Sequence, residues 1–251
     1  MLGMTKYLFS ILMGFTSIGY GNQTEPVAIH ERGLIAVVNL SAGRSQPRSI
    51  KTKIYINEEL NTMNLIQQKT RDHYGKVVFL FREETNEVLF LKTMQDMAAD
   101  PEIKTIDMIL YAHGRDGDPK YGDGGPSLGL YHPSNIYSRS DYLGAQVKNM
   151  AQGKLRMLYM DACWGSTQSQ DWLNAGFIAV AGAKLADGNR AIDLKRFFKK
   201  WLSGEPFGES ISYANKNILG KILDRFVKGD STKIPVGDLD LTIDQTYIPS
   251  N

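Results

Sequence analysis

The chain contains a single cysteine, Cys163, in the stretch LYMDACWGS (158–166). It directly follows an apolar run, LRMLYM (155–160), of the kind that forms a buried strand. A disulfide needs two cysteines, so Cys163 has no partner within its own chain. An unpaired thiol is either a small buried hydrophobic group or a reactive one, and its surroundings decide between the two.

His113 is the group that would make this thiol reactive. A second apolar run, IDMILY (106–111), leads to Ala112, His113 and Gly114. In a parallel α/β sheet the carboxyl ends of the strands meet at one edge, and neighbouring strands lie about 4.8 Å apart. An imidazole at that distance accepts the proton of the thiol, and the resulting thiolate is the nucleophile. The backbone N–H groups of Gly114 and Cys163 would together form an oxyanion hole.

The remaining histidines and acidic residues carry weaker signals. His30 and His73 lack a strand tip beside them, and His132, in the Gly/Pro/Asp-rich loop 114–135, is the only rival base. That loop contains Asp116, Asp118 and Asp123, but it lacks the late glutamate of a calcium-binding loop and favours a solvated turn. No phosphate loop, zinc spacing or Ser-His-Asp pattern stands out, and Cys–His chemistry needs no metal or cofactor.

These motifs, taken together, resemble the caspase-like (clan CD) cysteine peptidases. The group includes caspases, metacaspases, legumain, clostripain, gingipains and CHAT domains, and the chain is most similar to the CHAT, clostripain and metacaspase types. DACWG is similar to the caspase pattern Q-A-C-x-G, with Asp161 in place of Gln, and His113 precedes Cys163 by 50 residues. The segment 176–216 looks like the strand-helix-helix part that follows the cysteine in CHAT domains. The resemblance covers residues 76–228 and implies a peptidase with Cys163 as nucleophile and His113 as general acid/base.

Asp161 suggests which substrate side chain is preferred. Residues two apart in a strand share a face, so Asp161 lies on the side from which Cys163 emerges. Metacaspases carry Asp at the similar position and cleave after Arg or Lys, whereas Trp164 replaces the Arg that follows the caspase cysteine. The resemblance therefore implies cleavage after a basic residue. The alternative is that Asp161 caps a loop amide or pairs with a basic residue of the chain: Arg115, Lys154 or Arg156.

The apolar runs that would position these residues alternate with helical patterns. Six runs are short and rich in β-branched or aromatic residues, and we predict them as strands: 34–40, 53–56, 76–81, 106–111, 155–160 and 177–182. Helical patterns at 58–73, 86–99 and 140–152 lie between them. This order predicts βαβ units, and hence an α/β, caspase-like fold with a mainly parallel central sheet and helices on both faces.

Three further elements follow the last predicted strand. One apolar stripe, at 194–202, predicts a helix that ends at Gly204. A second stripe predicts one helix with a buried face formed by Phe207, Ile211, Ala214, Ile218 and Ile222. The alternating tail DLDLTID (238–244) predicts an edge strand.

Length and composition indicate one exported domain. Residues 1–21 have a basic start, a short apolar stretch and small residues at the end, which predicts a cleaved signal peptide. Residues 22–251 are long enough for a single domain, in which the basic segment 41–53 is a linker or an activation segment. With 29 basic and 27 acidic residues the net charge is only +2, so no nucleic-acid partner is indicated.

The sequence therefore predicts a secreted or periplasmic cysteine endopeptidase that acts on protein or peptide substrates. No stable membrane span is expected after removal of the signal, and the oligomeric state is not indicated. Two alternatives stay open: a caspase-like interaction module whose dyad is vestigial, and a transpeptidase or other hydrolase that uses the same thiol.

Overall fold

The computed structural model describes residues 24–41, 50–117, 126–130, 138–151, 153–187 and 191–247. The predicted signal peptide and residues 42–49 of the basic segment lie outside them. The strands in these ranges are β1 (Thr24–Pro26), β2 (Arg32–Asn39), β3 (Lys76–Phe81), β4 (Thr105–Ala112), β5 (Gly114–Arg115), β6 (Ser127–Leu128), β7 (Ser138–Arg139), β8 (Leu155–Asp161), β9 (Ala179–Ala183), β10 (Lys233–Gly237) and β11 (Gln245–Tyr247). The helices are α1 (Ile50–Thr70), α2 (Glu87–Ala99), α3 (Ser140–Ala151), α4 (Ser169–Ala175), α5 (Ile192–Trp201), α6 (Phe207–Asn215) and α7 (Ile218–Val227).

Six strands form one central sheet in the order β10-β9-β8-β4-β2-β3. The five strands from β9 to β3 are parallel to one another, and β10 joins β9 antiparallel at the edge. Strands β2, β4, β8 and β9 are buried along their whole length, because their apolar side chains face a helical layer on each side. The predicted α/β fold is confirmed.

Each face of the sheet has its own hydrophobic core. On one face, α2, α3 and α4 contribute Phe90, Leu143 and Trp172. On the other face, α1, α5 and α6 contribute Ile66, Phe197 and Phe207, among others. Because both faces of β4 and β8 are covered in this way, only the ends of these strands are open to chemistry.

The predicted strand at 53–56 is wrong, because these residues lie inside α1. The buried positions of this helix are Thr52, Glu59, Thr62, Ile66 and Thr70, which follow helical rather than alternating spacing. The four-residue run KIYI was too short a signal for a strand, and packing along the 21 residues of α1 decided the outcome.

Two predictions for the C-terminal part are also wrong. The second stripe is divided between α6 and α7, because the side chain of Asn217 accepts a hydrogen bond from the Leu219 N–H and starts a new helix. Ile218 and Ile222 are consequently 74% and 45% exposed. Residues 238–244 form bends and a turn instead of the predicted edge strand. The edge of the central sheet beside β9 is formed by β10. Leu241 and Ile243 are buried all the same, which accounts for the alternation.

None of the helices in the described ranges is both long enough and apolar enough to cross a membrane.

Candidate active site

The two predicted reactive strand tips lie side by side. β4 and β8 are neighbours, and Tyr111 lies opposite Asp161 in their register. His113 follows Tyr111 by two residues, and Cys163 follows Asp161 by two residues. The backbones also touch there, since a Cβ added to Gly114 would lie only 2.1 Å from the carbonyl oxygen of Cys163. Only glycine fits at position 114, and the close approach brings the His-Gly and Ala-Cys tips together.

A backbone carbonyl orients the imidazole of His113. Its Nε2 lies 2.9 Å from the carbonyl oxygen of Leu40, and the ring of Tyr55 packs against it edge-on at 5.7 Å. A carbonyl can only accept, so Nε2 donates, and the neutral ring then has its proton acceptor at Nδ1. Leu40 is itself held, because its N–H donates to the buried carboxylate of Glu59 at 2.6 Å. Leu40 was not among the predicted site residues, since any residue type can supply a carbonyl.

The chain turns sharply immediately after the thiol. Trp164 adopts a left-handed conformation with φ of 52°, and its N–H donates to the carbonyl of Leu185 at 2.8 Å. A non-glycine residue in this region stores backbone strain, which is common at functional sites. Gly165 follows and packs closely against β9. A Cβ added to Gly165 would lie 3.1 Å from the Cα of Gly182. This turn fixes Cys163 at the end of β8.

The thiol of Cys163 is partly buried and contacts the backbone of Asp187. Its Sγ accepts a hydrogen bond from the Asp187 N–H at 3.3 Å and donates to the Asp187 carbonyl at 3.6 Å. Burial raises the pKa of the Cys163 thiol, although the Asp187 N–H works in the opposite direction. The resting group is therefore a thiol, and its use as a nucleophile requires a base.

Asp161 lies next to this thiol, and its side chain is fully buried. Its Oδ1 accepts a hydrogen bond from Nζ of Lys233 at 2.7 Å, and the same ammonium group also binds the carboxylate of Asp187. Burial and the nearby Asp187 carboxylate raise the pKa of Asp161 well above its usual value. Burial disfavours the charged form of Lys233 and by itself would lower its pKa. The carboxylates of Asp161 and Asp187 together have the larger, opposite effect, so the pKa of Lys233 is raised. The cluster holds two acidic groups and one cation.

The cation beside Asp161 was not among the basic partners that the sequence suggested. Lys154 donates instead to the carbonyls of Ala98 and Asp100, and Arg156 pairs with the buried Asp107. Lys233 lies 72 residues after Asp161 on an antiparallel strand, and no local pattern links the two. Asp187 carried a usable signal, since it is a polar residue shortly after β9, at the same edge of the sheet as His113 and Cys163.

The acidic loop 114–135, which the sequence predicts as a solvated turn, is described only in part. Asp116 belongs to the described residues, whereas Asp118, Asp123 and His132 do not. Among the described residues, no group of three or more His, Cys, Asp or Glu side chains could hold a metal ion.

Solved structures are similar to this arrangement of one central sheet between two helical layers. The Drosophila initiator caspase Dronc aligns with a TM-score of 0.51 at 10% identity, over 98% of this chain and 96% of its own. Caspase-1 from Spodoptera frugiperda aligns with a TM-score of 0.53 at 10% identity, over 89% and 92%. The fold is therefore caspase-like, and the predicted resemblance is confirmed at that level.

A third similar structure is the Arg-specific cysteine proteinase gingipain R, RgpB. It aligns with a TM-score of 0.50 at 13% identity, over 87% of this chain. The match covers 48% of the gingipain chain, so this chain spans about half of that protein's length. No protein-family model matches the sequence, and no curated protein does. At these identities the likeness concerns the fold alone.

Proposed function

We propose that the protein is an exported cysteine endopeptidase in which Cys163 is the nucleophile and His113 the general acid/base. The observation that carries this proposal is the meeting of the two strand tips, with Gly114 packed against the Cys163 carbonyl. The orientation of the imidazole supports it, because the Leu40 carbonyl leaves Nδ1 as the proton acceptor. The fold is shared with proteins that are cysteine proteinases and caspases.

The chemistry follows from this arrangement. Nδ1 of His113 takes the proton of Cys163, and Sγ forms a bond to the carbonyl carbon of the substrate. The N–H groups of Gly114 and Cys163 stabilise the oxyanion, as predicted for this pair. The C–N bond then breaks while the imidazolium returns the proton to the leaving amine. Water, deprotonated by the same imidazole, hydrolyses the thioester and restores the thiol.

The Leu40 carbonyl has a part in both halves of this cycle. The imidazolium carries a positive charge and donates from both nitrogens, so a carbonyl oxygen on Nε2 stabilises it and keeps the ring in place. The steps require only groups of this chain, the peptide and water.

We infer that the substrate residue before the cleaved bond is Arg or Lys. Asp161 stands two residues before Cys163, and the backbone of Asp187 contacts the sulfur of Cys163. Two buried carboxylates at one place bind a cation strongly, and in this structure they bind an ammonium group. A guanidinium or ammonium of the substrate would satisfy the same charge.

Export rests on residues 1–21, whose pattern is that of a signal peptide cleaved near Gly19–Gly21. Expression of the full chain in a secreting host, followed by sequencing of the protein in the exported fraction, tests it. We expect a new N-terminus close to position 21, whereas a full-length chain retained in the cell would contradict export.

The function is tested by incubating the mature protein with a peptide library and identifying the products by mass spectrometry. We expect cleavage on the carboxyl side of Arg and Lys, and none with Cys163→Ala. A folded wild type without Cys163-dependent products would overturn the peptidase and favour the interaction module. Products joined to added amines instead of water would favour the transpeptidase.

A further inference from the structure

Lys233 occupies the place that the proposed function gives to the substrate's basic side chain. Its Nζ lies 2.7 Å from Oδ1 of Asp161 and also binds Oδ2 of Asp187. All three side chains are buried, with at most 3% of any of them exposed. The ammonium thus already supplies the cation that these two carboxylates bind.

This ion cluster is continuous with the nucleophile. Asp161 is two residues before Cys163, and the backbone of Asp187 both donates to and accepts from its sulfur. Lys233 lies opposite Ala183, the last residue of β9, so it enters the cluster from the same edge of the sheet. A basic side chain arriving beside Cys163 would therefore meet Lys233.

The backbone of Lys233 is fixed, but its stem is long. The side-chain amide of Asn215 accepts from the Lys233 N–H and donates to its carbonyl, each at 2.8 Å. Pairing with β9 holds the same residue. The four-carbon stem has several rotatable bonds, so displacement of the ammonium requires rotation of the side chain and not movement of the strand.

We propose that Lys233 is a specificity-determining residue that acts as an internal competitor, which a substrate Arg or Lys must displace before it binds to Asp161 and Asp187. This inference rests on the proposed function and adds a regulatory element to it. Wild-type affinity for a basic side chain is reduced by the fraction of molecules in which Lys233 fills the pocket. Removing the ammonium should raise that affinity.

The decisive variant is Lys233→Met, which keeps most of the stem and removes the charge. Binding of benzamidine, a small amidinium cation, is measured by calorimetry on the full chain in a Cys163→Ala background. We expect Lys233→Met to bind benzamidine roughly tenfold or more tightly than the background chain, as the loss of a resident competitor requires. A folded Lys233→Met protein with unchanged affinity would overturn the proposal.

Arg156→Met is the matched control. Arg156 is also a fully buried cation, paired with Asp107, but it lies near the amino end of β8. It should lose stability as Lys233→Met does and gain no benzamidine affinity. An equal gain in both variants would show a general loosening and count against the proposal.

A second variant covers the case in which Lys233→Met does not fold. Lys233→Met combined with Asp187→Asn removes one charge of each sign and leaves Asp161 to bind the probe. It should bind benzamidine more tightly than Asp187→Asn alone. If neither Lys233 variant folds, Lys233 is an obligatory structural ion and not a displaceable one, and the proposal fails.

Measurements of peptidase activity distinguish a failure of this proposal from a failure of the proposed function on which it rests. With Cys163 intact, Lys233→Met should raise kcat/KM for Arg and Lys substrates by a larger factor than for matched norleucine substrates, which gain no charged partner. A gain in benzamidine affinity without any Cys163-dependent cleavage would uphold the role of Lys233 and overturn the peptidase. Cleavage after basic residues that Lys233→Met does not improve would uphold the peptidase and overturn the competitor.

Discussion

In the proposed mechanism, two side chains and one backbone carbonyl have separate tasks. The thiol of Cys163 is held by the backbone of Asp187, and the imidazole of His113 is held by Leu40. A buried thiol with a raised pKa contrasts with cysteines that are thiolates at rest. Proton transfer to His113 is therefore part of the reaction in the proposed mechanism.

The first prediction concerns this division of tasks. Cys163→Ala should abolish cleavage, and His113→Ala should lower kcat/KM by about 10²- to 10⁴-fold, the usual effect of losing a general base. The assay is hydrolysis of a fluorogenic Arg peptide by each purified variant. His73→Ala, at a histidine far from the strand tips, is the control and should keep wild-type activity. Full activity in either dyad variant would contradict the assignment.

A second prediction follows from the raised pKa of Cys163. Because only the thiolate is alkylated, the rate of reaction with iodoacetamide should still be rising at and above the ordinary thiol value of 9.0. The rate is measured against pH by mass spectrometry of the folded protein. A rate that is already constant at neutral pH would mean that the thiolate is present at rest.

Gly114 supplies the third prediction. A methyl group at this position would lie 2.1 Å from the Cys163 carbonyl oxygen, so Gly114→Ala must push the two strand tips apart. We expect loss of nearly all activity together with reduced stability. Gly204→Ala is the control, since it adds a methyl at a positive φ with no atom within 4 Å of it. It should reduce stability alone, and an active Gly114→Ala enzyme would contradict the close approach.

At the scale of elements, the site is assembled from the ends of β4, β8, β9 and β10. The first three strands are parallel and deliver His113, Cys163 and, shortly after β9, Asp187 to one edge. The antiparallel edge strand β10 adds Lys233. The cation that pairs with Asp161 and Asp187 thus comes from an element that the sequence patterns did not reveal.

The fourth prediction tests the acidic pair. Asp161→Asn should lower kcat/KM for Arg and Lys substrates, because it removes one of the two carboxylates, while matched Asn and Asp substrates should change little. Thermal unfolding is measured alongside, since Lys233 then keeps only Asp187 as a charged partner. A variant that retains its full preference for Arg would show that Asp161 only supports the fold.

Self-processing is the fifth prediction, at the segment before α1. An enzyme with basic preference would cleave its own chain at Arg44 or Arg48, whereas Lys51 and Lys53 lie in helical backbone. The loop 114–135 offers two further basic residues: Arg115 belongs to β5 and is protected by pairing with β6, and Lys120 lies outside the described residues. Intact masses of wild type and Cys163→Ala are compared after prolonged incubation. Identical masses would contradict self-processing.

At the scale of the whole molecule, a second buried ion cluster lies at the end of the sheet opposite Cys163. Near the amino ends of β4 and β8, the fully buried pair Asp107–Arg156 is completed by the hydroxyl of Tyr74, which Trp201 also contacts. This network joins the sheet to α5 and lies away from the thiol. Asp107→Ala should lower the free energy of unfolding by about 3–5 kcal/mol, since it leaves a buried guanidinium unpaired.

The measurement is chemical denaturation, with the alkylation rate of Cys163 in the still-folded protein as a second readout. Lys92→Ala, which breaks the exposed pair with Asp96, is the control and should change stability by less than about 1 kcal/mol. A large change in Cys163 reactivity in folded Asp107→Ala would contradict the independence of the two ends.

The sequence alone determined the parallel sheet and the strand ends that carry His113 and Cys163. Short, uninterrupted apolar runs form strands buried on both faces, polar residues after them mark the strand ends, and parallel strands bring those ends to one edge. The tertiary structure alone decided that Leu40 orients the imidazole, since a backbone carbonyl leaves no trace in residue type. It also decided that the ammonium group of Lys233 binds both Asp161 and Asp187. That contact joins residues far apart in the chain, and its place depends on which strand takes the edge beside β9.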